Sequence, residues 1–339
     1  MTKSFVESTL IAEDQPFEGP LRPLTFGDFI GQASVKERLG VMIQAAKKRN
    51  EALSHCLFSG PPGLGKTTLA GILSKAMGTN LVVTSGPMIE KAGDLAGILT
   101  NLQEGDVLFI DEIHRLNATV EEYLYPAMED FVLDLLIDSG PSARSVQVKL
   151  KRFTLAAATT RTGLLGAPLR SRFPFSCRLD YYTSQDLVLI IQRTAKLLKF
   201  SLETNAAEEI AKRSRGTPRI ANNLLRWVRD YAETRTGGRA DQKVAVAALS
   251  MLGIDPLGLE EMDHKILQMM IRNWGGGPVG VNTIAMAIGE EPHTIEEVFE
   301  PFLIQLGMIK RTPRGREVTP LGYEHMKERQ ECLQKSPVL

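Results

Sequence analysis

Cysteine is scarce in this sequence: its 339 residues include three cysteines, Cys56, Cys177 and Cys332, which stand far apart. No C-x-x-C pair is present, which excludes a disulfide framework and a cysteine-based metal clamp. The sequence also lacks a run of about 18 apolar residues, and residues 1–14 lack the basic-then-apolar pattern of a signal peptide. We therefore expect a cytoplasmic protein.

Net charge is also missing, because 40 basic side chains balance 40 acidic ones. A chain without a global positive field is not drawn to nucleic acid as a whole, so any DNA contact must come from a local basic patch. Apolar residues, in contrast, make up 43% of the chain. That share is enough for two or three domains, each with its own core.

The most informative segment is the glycine-rich stretch Gly60-Pro61-Pro62-Gly63-Leu64-Gly65-Lys66-Thr67-Thr68, which matches the G-x-x-x-x-G-K-[ST] phosphate-loop pattern. It lies between a short apolar strand and an apolar helix, the setting in which backbone N–H groups and a helix N-terminus bind phosphate. Lys66 would place a charge on the β- and γ-phosphates, and Thr67 would hold Mg²⁺. Glycines of a merely flexible loop are the alternative, which the lysine and two threonines in register disfavour.

Short apolar strands alternate with helical stretches from residue 55 to residue 182, which is typical of a parallel sheet covered by helices on both faces. Residues 134–150 hold Gly140-Pro141 between two alternating runs and predict an inserted β-hairpin. The predicted strands of the sheet are 55–59, 81–85, 106–111, 153–160 and 177–181.

The character of the chain changes after residue 182. Helical periodicity with no clear strand predicts a small helical domain up to about residue 255, and Pro256-Leu257-Gly258 is a plausible hinge. Three further helices, the third kinked at Pro301, precede a short hairpin and together predict a winged-helix module. The predicted boundaries are an α/β domain at 1–182, a helical domain at 183–257 and a winged-helix DNA-binding domain at 258–339.

Two carboxylates follow the strand at 106–111. Asp111 would orient Mg²⁺ or its water, and Glu112 would polarise an attacking water. The alternative is a buried strand that ends in two solvated acids. Thr159 and Thr160 end the neighbouring strand, where a hydroxyl could sense the γ-phosphate, although threonines also end strands for ordinary turn reasons.

Arg170 and Arg172 stand beside a turn, with a spacing that points both side chains the same way. One of them could reach the γ-phosphate of a neighbouring subunit. A solvated arginine pair is the more common meaning of this spacing, so the residues by themselves leave both interpretations open.

Over nearly its whole length the sequence resembles the RuvB family of AAA+ ATPases, ring-forming motors that drive branch migration of Holliday junctions. The resemblance implies an AAA+ P-loop domain, a helical lid and a winged helix, with ATP and Mg²⁺ as cofactors. Its most specific segments are Leu21-Arg22-Pro23 with Phe29-Ile30-Gly31-Gln32, and Arg311-Thr312-Pro313-Arg314-Gly315-Arg316. One departure is Pro174, which fixes φ where the family usually has glycine.

The resemblance also implies roles for single residues. Thr160 would be sensor 1, Arg219 would be sensor 2, and Arg172, beside Arg170, would be the finger offered to the adjacent subunit. Leu21, Arg22 and Ile30 would border the adenine. Tyr182 and Pro218 would close its pocket from the lid side. Glu129, Asp130 and Phe131 would approach the neighbour's nucleotide.

The resemblance implies partners as well. The hairpin at 134–150 would dock on RuvA, the protein that holds the four-way junction, and RuvC would join a larger complex. The chain itself would form a homo-oligomeric ring, a hexamer on double-stranded DNA.

The predicted third helix of the winged-helix module carries acidic residues, Glu296, Glu297 and Glu300 among them, which would repel phosphate. We therefore expect DNA contact at the hairpin, a sequence-independent grip on the backbone. A solubilising surface turn is the alternative. The hairpin's cluster of basic residues comprises Lys310, Arg311, Arg314 and Arg316. Three histidines, His264, His293 and His325, lack metal-ligand spacing and are interpreted as incidental.

Two rival functions stay open. A DNA-binding initiator or regulator would use ATP as a structural switch, but intact Glu112 and Arg172 favour turnover. A clamp-loader-like ATPase would lack the winged helix, and the basic hairpin at 311–316 argues against it.

Overall fold

The computed structural model describes residues 5–6, 19–136 and 145–335, which fall into two compact units. Glu18–Tyr182 forms the first unit, and the described residues from Thr183 onward form the second, to which Val6 also belongs. No helix within the described ranges is long and apolar enough to cross a membrane.

The first unit is built on strands β1 (Cys56–Ser59), β2 (Leu81–Ser85), β3 (Val107–Asp111), β4 (Val132–Leu136), β5 (Ser145–Lys149), β6 (Thr154–Thr159) and β7 (Phe175–Arg178). Five of them form one parallel sheet in the order β2-β3-β6-β1-β7, which confirms the α/β prediction. The inner strands are continuous apolar runs because helices cover both faces. These helices are Ala33–Arg49, Lys66–Met77, Ala92–Asn101, Ala118–Glu129 and Ala167–Ser171.

Strand β7 was predicted at 177–181 but runs from Phe175 to Arg178. It lies at the edge of the sheet, where its side chains alternate between buried and exposed instead of forming a continuous apolar run. The strand begins directly after Pro174. Beyond its last residue, the Leu179 N–H still donates a hydrogen bond to the Ser59 carbonyl oxygen (2.8 Å). A proline at this place costs no ladder bond within the sheet.

Strands β4 and β5 form the inserted hairpin, in antiparallel register from Val132 opposite Lys149 to Leu136 opposite Ser145. The hairpin begins two residues earlier than the predicted start at 134. The turn predicted at Gly140-Pro141 lies outside the described residues.

The second unit begins with four helices, which fits the predicted helical domain. The prediction that this region has no strand was wrong, because β8 (Ser201–Leu202) and β9 (Arg239–Ala240) pair in parallel. Two residues are too few to show a period of two, so the sequence carries no signal for them. The four helices are Ser184–Leu197, Thr204–Lys212, Pro218–Arg235 and Gln242–Met251.

The segment predicted as a hinge is a turn with several fixed contacts. Arg213 donates to the Ile254 carbonyl oxygen (3.1 Å), and Arg215 donates to the Gly258 carbonyl oxygen (3.0 Å). Arg215 also forms a buried ion pair with Asp263, in the helix that follows the turn. These contacts tie the turn to the elements on both of its sides.

The winged-helix module follows, with β10 (Ile309–Thr312) and β11 (Gly315–Val318) as its antiparallel hairpin. The distortion predicted at Pro301 is a π-helical turn, Ile295–Phe299, which ends two residues before that proline, a residue that cannot donate a helical hydrogen bond. A helix after the hairpin was not predicted; its polar sequence gives little periodic signal. The helical elements are Glu261–Trp274, Val281–Ile288, Pro292–Thr294, Ile295–Phe299, Glu300–Gln305 and Pro320–Lys335.

Candidate active site

The phosphate-binding loop lies between β1 and the helix that begins at Lys66. Its backbone requires glycine, since φ is 132° at Gly60, 76° at Gly63 and 99° at Gly65. A Cβ at Gly60 would lie 2.4 Å from the Leu179 carbonyl oxygen, and one at Gly65 would lie 3.0 Å from the Phe29 ring. The loop therefore keeps the tight, N–H-rich shape that binds phosphate at a helix N-terminus.

Lys66 is buried, with 7% of its surface exposed. Its Nζ donates hydrogen bonds to the carbonyl oxygens of Gly60 and Pro61, both at 2.9 Å. A buried ammonium needs acceptors, and these carbonyls belong to the loop that the phosphates would enter. The residues present thus fit a nucleoside triphosphate, because the glycine-rich loop leaves no room for side chains and Lys66 supplies a positive charge beside it.

The carboxylates lie where parallel strands end. Asp111 is the last residue of β3, and its Oδ1 accepts a hydrogen bond from the Glu112 N–H (3.0 Å). Glu112 has a left-handed backbone, φ 46°, so its side chain leaves the strand direction. Its Oε2 accepts hydrogen bonds from the Thr160 hydroxyl (3.1 Å) and the Thr160 N–H (3.4 Å). The structure therefore brings Glu112 and Thr160 together at the carboxyl ends of β3 and β6.

His114 is a site residue that sequence reasoning missed. Its Nδ1 lies 3.1 Å from Glu112 Oε2 and 3.0 Å from Thr159 Oγ1, with 8% of the side chain exposed. The signal available in the sequence is its position, two residues after Glu112. A buried imidazole in this place can fix the orientation of the carboxylate.

Arg172 lies at the end of the helix Ala167–Ser171 and is held within its own unit. Its guanidinium contacts Glu129 Oε2 (3.2 Å) and the Pro168 carbonyl oxygen (2.8 Å), and it lies over the Tyr125 ring, 4.2 Å from the centroid. Arg170, in contrast, is exposed and has no ion pair within the described part of the chain. The two arginines lie two residues apart in sequence, but their surroundings differ: Arg172 is held by several contacts, and Arg170 is exposed.

Burial, as the main cause, and a hydrogen bond to the Glu121 carboxylate raise the pKa of Tyr125 to about 12. The phenol therefore stays neutral at physiological pH and offers Arg172 an aromatic face. Cation–π contact of this kind contributes about 0.5–2 kcal/mol, depending on desolvation.

The residues assigned to the adenine side are divided between the two units. Leu21 and Tyr182 are buried in the first unit, where the Tyr182 hydroxyl donates to the Leu64 carbonyl oxygen of the phosphate-binding loop (3.2 Å). Pro218 and Arg219 begin the helix Pro218–Arg235 in the second unit. Arg22 and Ile30 are half-buried in the first unit.

The segment 129–131 follows the helix Ala118–Glu129. Glu129 and Asp130 are exposed, whereas Phe131 has a positive φ of 55° and packs edge-on against Phe153. Within the part of the chain that the structure describes, Glu129 contacts a catalytic candidate, Arg172.

The hairpin of the winged-helix module carries a basic residue at its turn, and the arginines in its strands are paired with glutamates. Arg311 and Arg316 both donate to the Glu300 carboxylate, and Arg316 also contacts Glu296. Burial by itself would raise the pKa of Glu300, but hydrogen bonds from the two arginines outweigh it and lower that pKa. The glutamates of the preceding helical segment thus neutralise the positive charges of Arg311 and Arg316 in the two strands of the hairpin.

Two basic side chains of the hairpin extend outward. Lys310 contacts Glu317 (3.0 Å) while 60% of its side chain stays exposed. Arg314 lies in the two-residue turn between paired Thr312 and Gly315, is exposed, and has no ion pair in the part of the chain that the structure describes. Cationic charge at the tip therefore comes mainly from Arg314.

A parallel sheet with a phosphate-binding loop, strand-end carboxylates, a helical domain and a winged helix defines a P-loop nucleoside triphosphatase of the AAA+ class. Family models for the RuvB Holliday junction DNA helicase match in sequence order: the P-loop domain at residues 21–179, the AAA lid at 182–255 and the C-terminal winged helix at 256–327. The chain belongs to the RuvB family.

Similar proteins agree with this assignment. The chain is 65% identical to a Holliday junction branch migration complex subunit RuvB of Protochlamydia amoebophila, over 96% of this chain and 98% of that one. It is 58% identical to one of Flavobacterium psychrophilum, over 93% and 92%. A solved structure of the Thermotoga maritima RuvB Holliday junction branch migration motor has TM-score 0.83 and 50% identity, covering 91% and 98%.

Proposed function

We propose that this protein is an ATP-driven motor that moves the branch point of Holliday junctions in homologous recombination and DNA repair, acting as a ring together with RuvA. The observation that carries the proposal is Glu112, held at the strand ends by Thr160 within the unit that holds the phosphate-binding loop. A protein that used ATP only as a switch would not need an oriented carboxylate for hydrolysis.

The nucleotide site uses groups with separate tasks. Backbone N–H groups of residues 63–68 and the Lys66 ammonium would bind phosphate, while Thr67 and Asp111 would hold Mg²⁺. When bound, Mg²⁺ neutralises the charge that develops on the phosphate oxygens. By the resemblance to the family, Leu21, Arg22 and Ile30 would border the adenine, Tyr182 and Pro218 would close its pocket, and Arg219 would act as sensor 2.

Glu112 orients the attacking water and accepts its proton. The contacts of its Oε2 with Thr160 and His114 keep the carboxylate in one orientation. Because Thr160 would also sense the γ-phosphate, the same hydroxyl joins the nucleotide and the water-activating carboxylate.

Arg172 completes the site of the adjacent subunit in the ring. Its guanidinium is stacked on Tyr125 and paired with Glu129, contacts that pre-organise it without burying its charge completely. By the resemblance to the family, Asp130 and Phe131 would approach the neighbour's nucleotide together with Glu129, and Arg170 would lie beside the finger.

Branch migration itself tests the proposal. Junction DNA with RuvA should raise ATP hydrolysis by this protein, and the branch point should move only in the presence of hydrolysable ATP. A DNA-binding regulator would bind ATP and junction DNA without moving the branch point, and this result would favour the rival function.

The inserted hairpin is the proposed RuvA-docking surface. Val146 on β5 of this hairpin is an apolar side chain that is 43% exposed. We expect Val146→Asp to weaken RuvA binding at least about tenfold, since a charge would be buried at the contact. Val41→Asp, at an exposed valine of the helix Ala33–Arg49, is the matched control in a pull-down titration. Equal binding by both variants would contradict the assignment.

The hairpin of the winged helix is the proposed grip on DNA. Because Arg316 is paired with buried Glu300, the tip residue Arg314 is the cleaner probe. We expect Arg314→Ala to weaken binding equally for unrelated duplexes and to reduce the salt slope by about 0.9. DNA-free ATPase activity should be unchanged.

Salt titrations on two duplexes of different sequence measure this effect, with Arg235→Ala, an exposed arginine of the helical domain, as the control. An unchanged slope would place the DNA contact elsewhere. A loss confined to one duplex would indicate base readout.

A further inference from the structure

The fold brings together two of the three histidines that the sequence analysis interpreted as incidental. His264, in the helix Glu261–Trp274, and His325, in the helix Pro320–Lys335, meet Asp255 in the turn after the helical domain. Sequence spacing could not reveal this cluster, because several helical elements and a hairpin separate the two histidines and only tertiary packing joins them. His293 remains apart, exposed beside Glu297.

The distances within this cluster suit a tetrahedral metal site. His264 Nε2 and His325 Nε2 each lie 3.0 Å from Asp255 Oδ2, and 3.4 Å from each other. Ligand atoms about 2.0–2.1 Å from a tetrahedral Zn²⁺ are separated by roughly 3.4 Å. One cation can therefore contact all three atoms with little movement of the side chains.

Second contacts orient the ligand atoms. Asp255 Oδ1 accepts hydrogen bonds from the N–H groups of Leu257 and Leu259, both at 2.9 Å, which leaves Oδ2 directed at the two rings. His264 is 4% exposed, and within the described residues its Nδ1 has no hydrogen-bond partner, so Nε2 carries its polar contacts. Carboxylates that bind metal are commonly held by such outer hydrogen bonds.

The local charge favours a cation. Asp255 and Glu261 both interact electrostatically with Arg329, one turn beyond His325, so two carboxylates face one guanidinium. With neutral imidazoles, the two carboxylates and the Arg329 guanidinium sum to a charge of −1. A bound divalent ion would change that sum to +1.

We propose that Asp255, His264 and His325 form a binding site for a first-row divalent cation, with Zn²⁺ as the best match to two imidazoles and one carboxylate. A water molecule completes the tetrahedron. The ion links the end of the helical domain to the first and last helices of the winged-helix module, and so stiffens the connection between the helical domain and the proposed DNA grip.

Cobalt is the probe, because Co²⁺ adopts zinc sites and its tetrahedral complexes absorb strongly in the visible region. The full-length protein is titrated with Co²⁺ in saturating Mg²⁺, which occupies hard oxygen sites. We expect one tetrahedral Co²⁺ per chain, displaced by Zn²⁺. His325→Gln should lower the affinity by about 100-fold or more, since loss of even an outer partner costs 10–100-fold.

His293→Gln is the matched control and should bind as the unaltered protein does. Asp255→Asn provides a second test, because its amide oxygen still accepts both loop hydrogen bonds while the ligand oxygen is lost. Zn²⁺ should raise the thermal midpoint of the unaltered protein and of His293→Gln, but not that of the other two variants. Absence of tetrahedral Co²⁺, or equal binding by His325→Gln, would overturn the proposal and leave a metal-free hydrogen-bonded triad.

Discussion

Replacing Arg172 with alanine is expected to reduce ATP hydrolysis by the assembled ring roughly 10³–10⁵-fold, the usual contribution of an arginine finger. ATP affinity of the isolated subunit should change little. The substitution removes a contact to Glu129, whose side chain is 55% exposed, and an exposed partner left alone costs little stability. Steady-state hydrolysis and nucleotide titration separate the two effects.

Mixed rings test whether Arg172 acts on the neighbouring subunit. Arg172→Ala subunits keep their own phosphate-binding loop, and Lys66→Ala subunits keep their arginine finger. Each preparation should be inactive, and mixtures should recover activity at interfaces that join an intact loop to an intact Arg172. Failure at every ratio would count against action in trans.

Arg170→Ala is the matched control, because Arg170 is an exposed arginine on the same helix without an ion pair in the described ranges. Arg172→Lys keeps the charge but loses the planar fork and most of the stacking on Tyr125. If Arg170→Ala lost as much activity as Arg172→Ala, the two roles would have to be exchanged.

The local part of the site was predictable from sequence. Gly60, Gly63, Gly65 and Lys66 form one contiguous loop, so their spacing specifies both backbone conformation and charge. The resemblance to the RuvB family, read from short specific segments, is confirmed by the family models that match the chain.

The contacts between distant segments were not predictable. That Glu300 pairs with Arg311 and Arg316 depends on how the hairpin folds against the preceding helix, so the acidic helix was interpreted only as repelling DNA. The cluster of His264 with His325 was missed for the same reason.

The position of Glu112 could be predicted from the sequence, but its orientation could not. Its strand-end position was predicted, because parallel strands end at the same edge of a sheet, and the nearby Thr160 followed from the same rule. The left-handed backbone of Glu112 and its contact with His114 were not, since neither has a glycine or a spacing signature.

These contacts sharpen the second large prediction, a separation of nucleotide binding from turnover. We expect Glu112→Gln to bind ATP as tightly as the unaltered protein and to hydrolyse it about 10²–10⁴-fold more slowly, the usual contribution of a general base. The amide oxygen of glutamine can still accept the Thr160 hydrogen bond, so the loss would be chemical and not structural. Glu122→Gln, at an exposed glutamate of the same unit, is the control.

Lys66→Ala should instead lose nucleotide binding, because the buried ammonium is the charge that binds ground-state phosphate. Its removal leaves the Gly60 and Pro61 carbonyl oxygens without their donor, so circular dichroism must first show that the variant is folded. Binding of a fluorescent ATP analogue and single-turnover hydrolysis then give the two quantities independently. Equal loss of binding in both variants would mean that Glu112 holds the nucleotide and does not act on water, because a residue that contributes only to the transition state cannot change ground-state affinity.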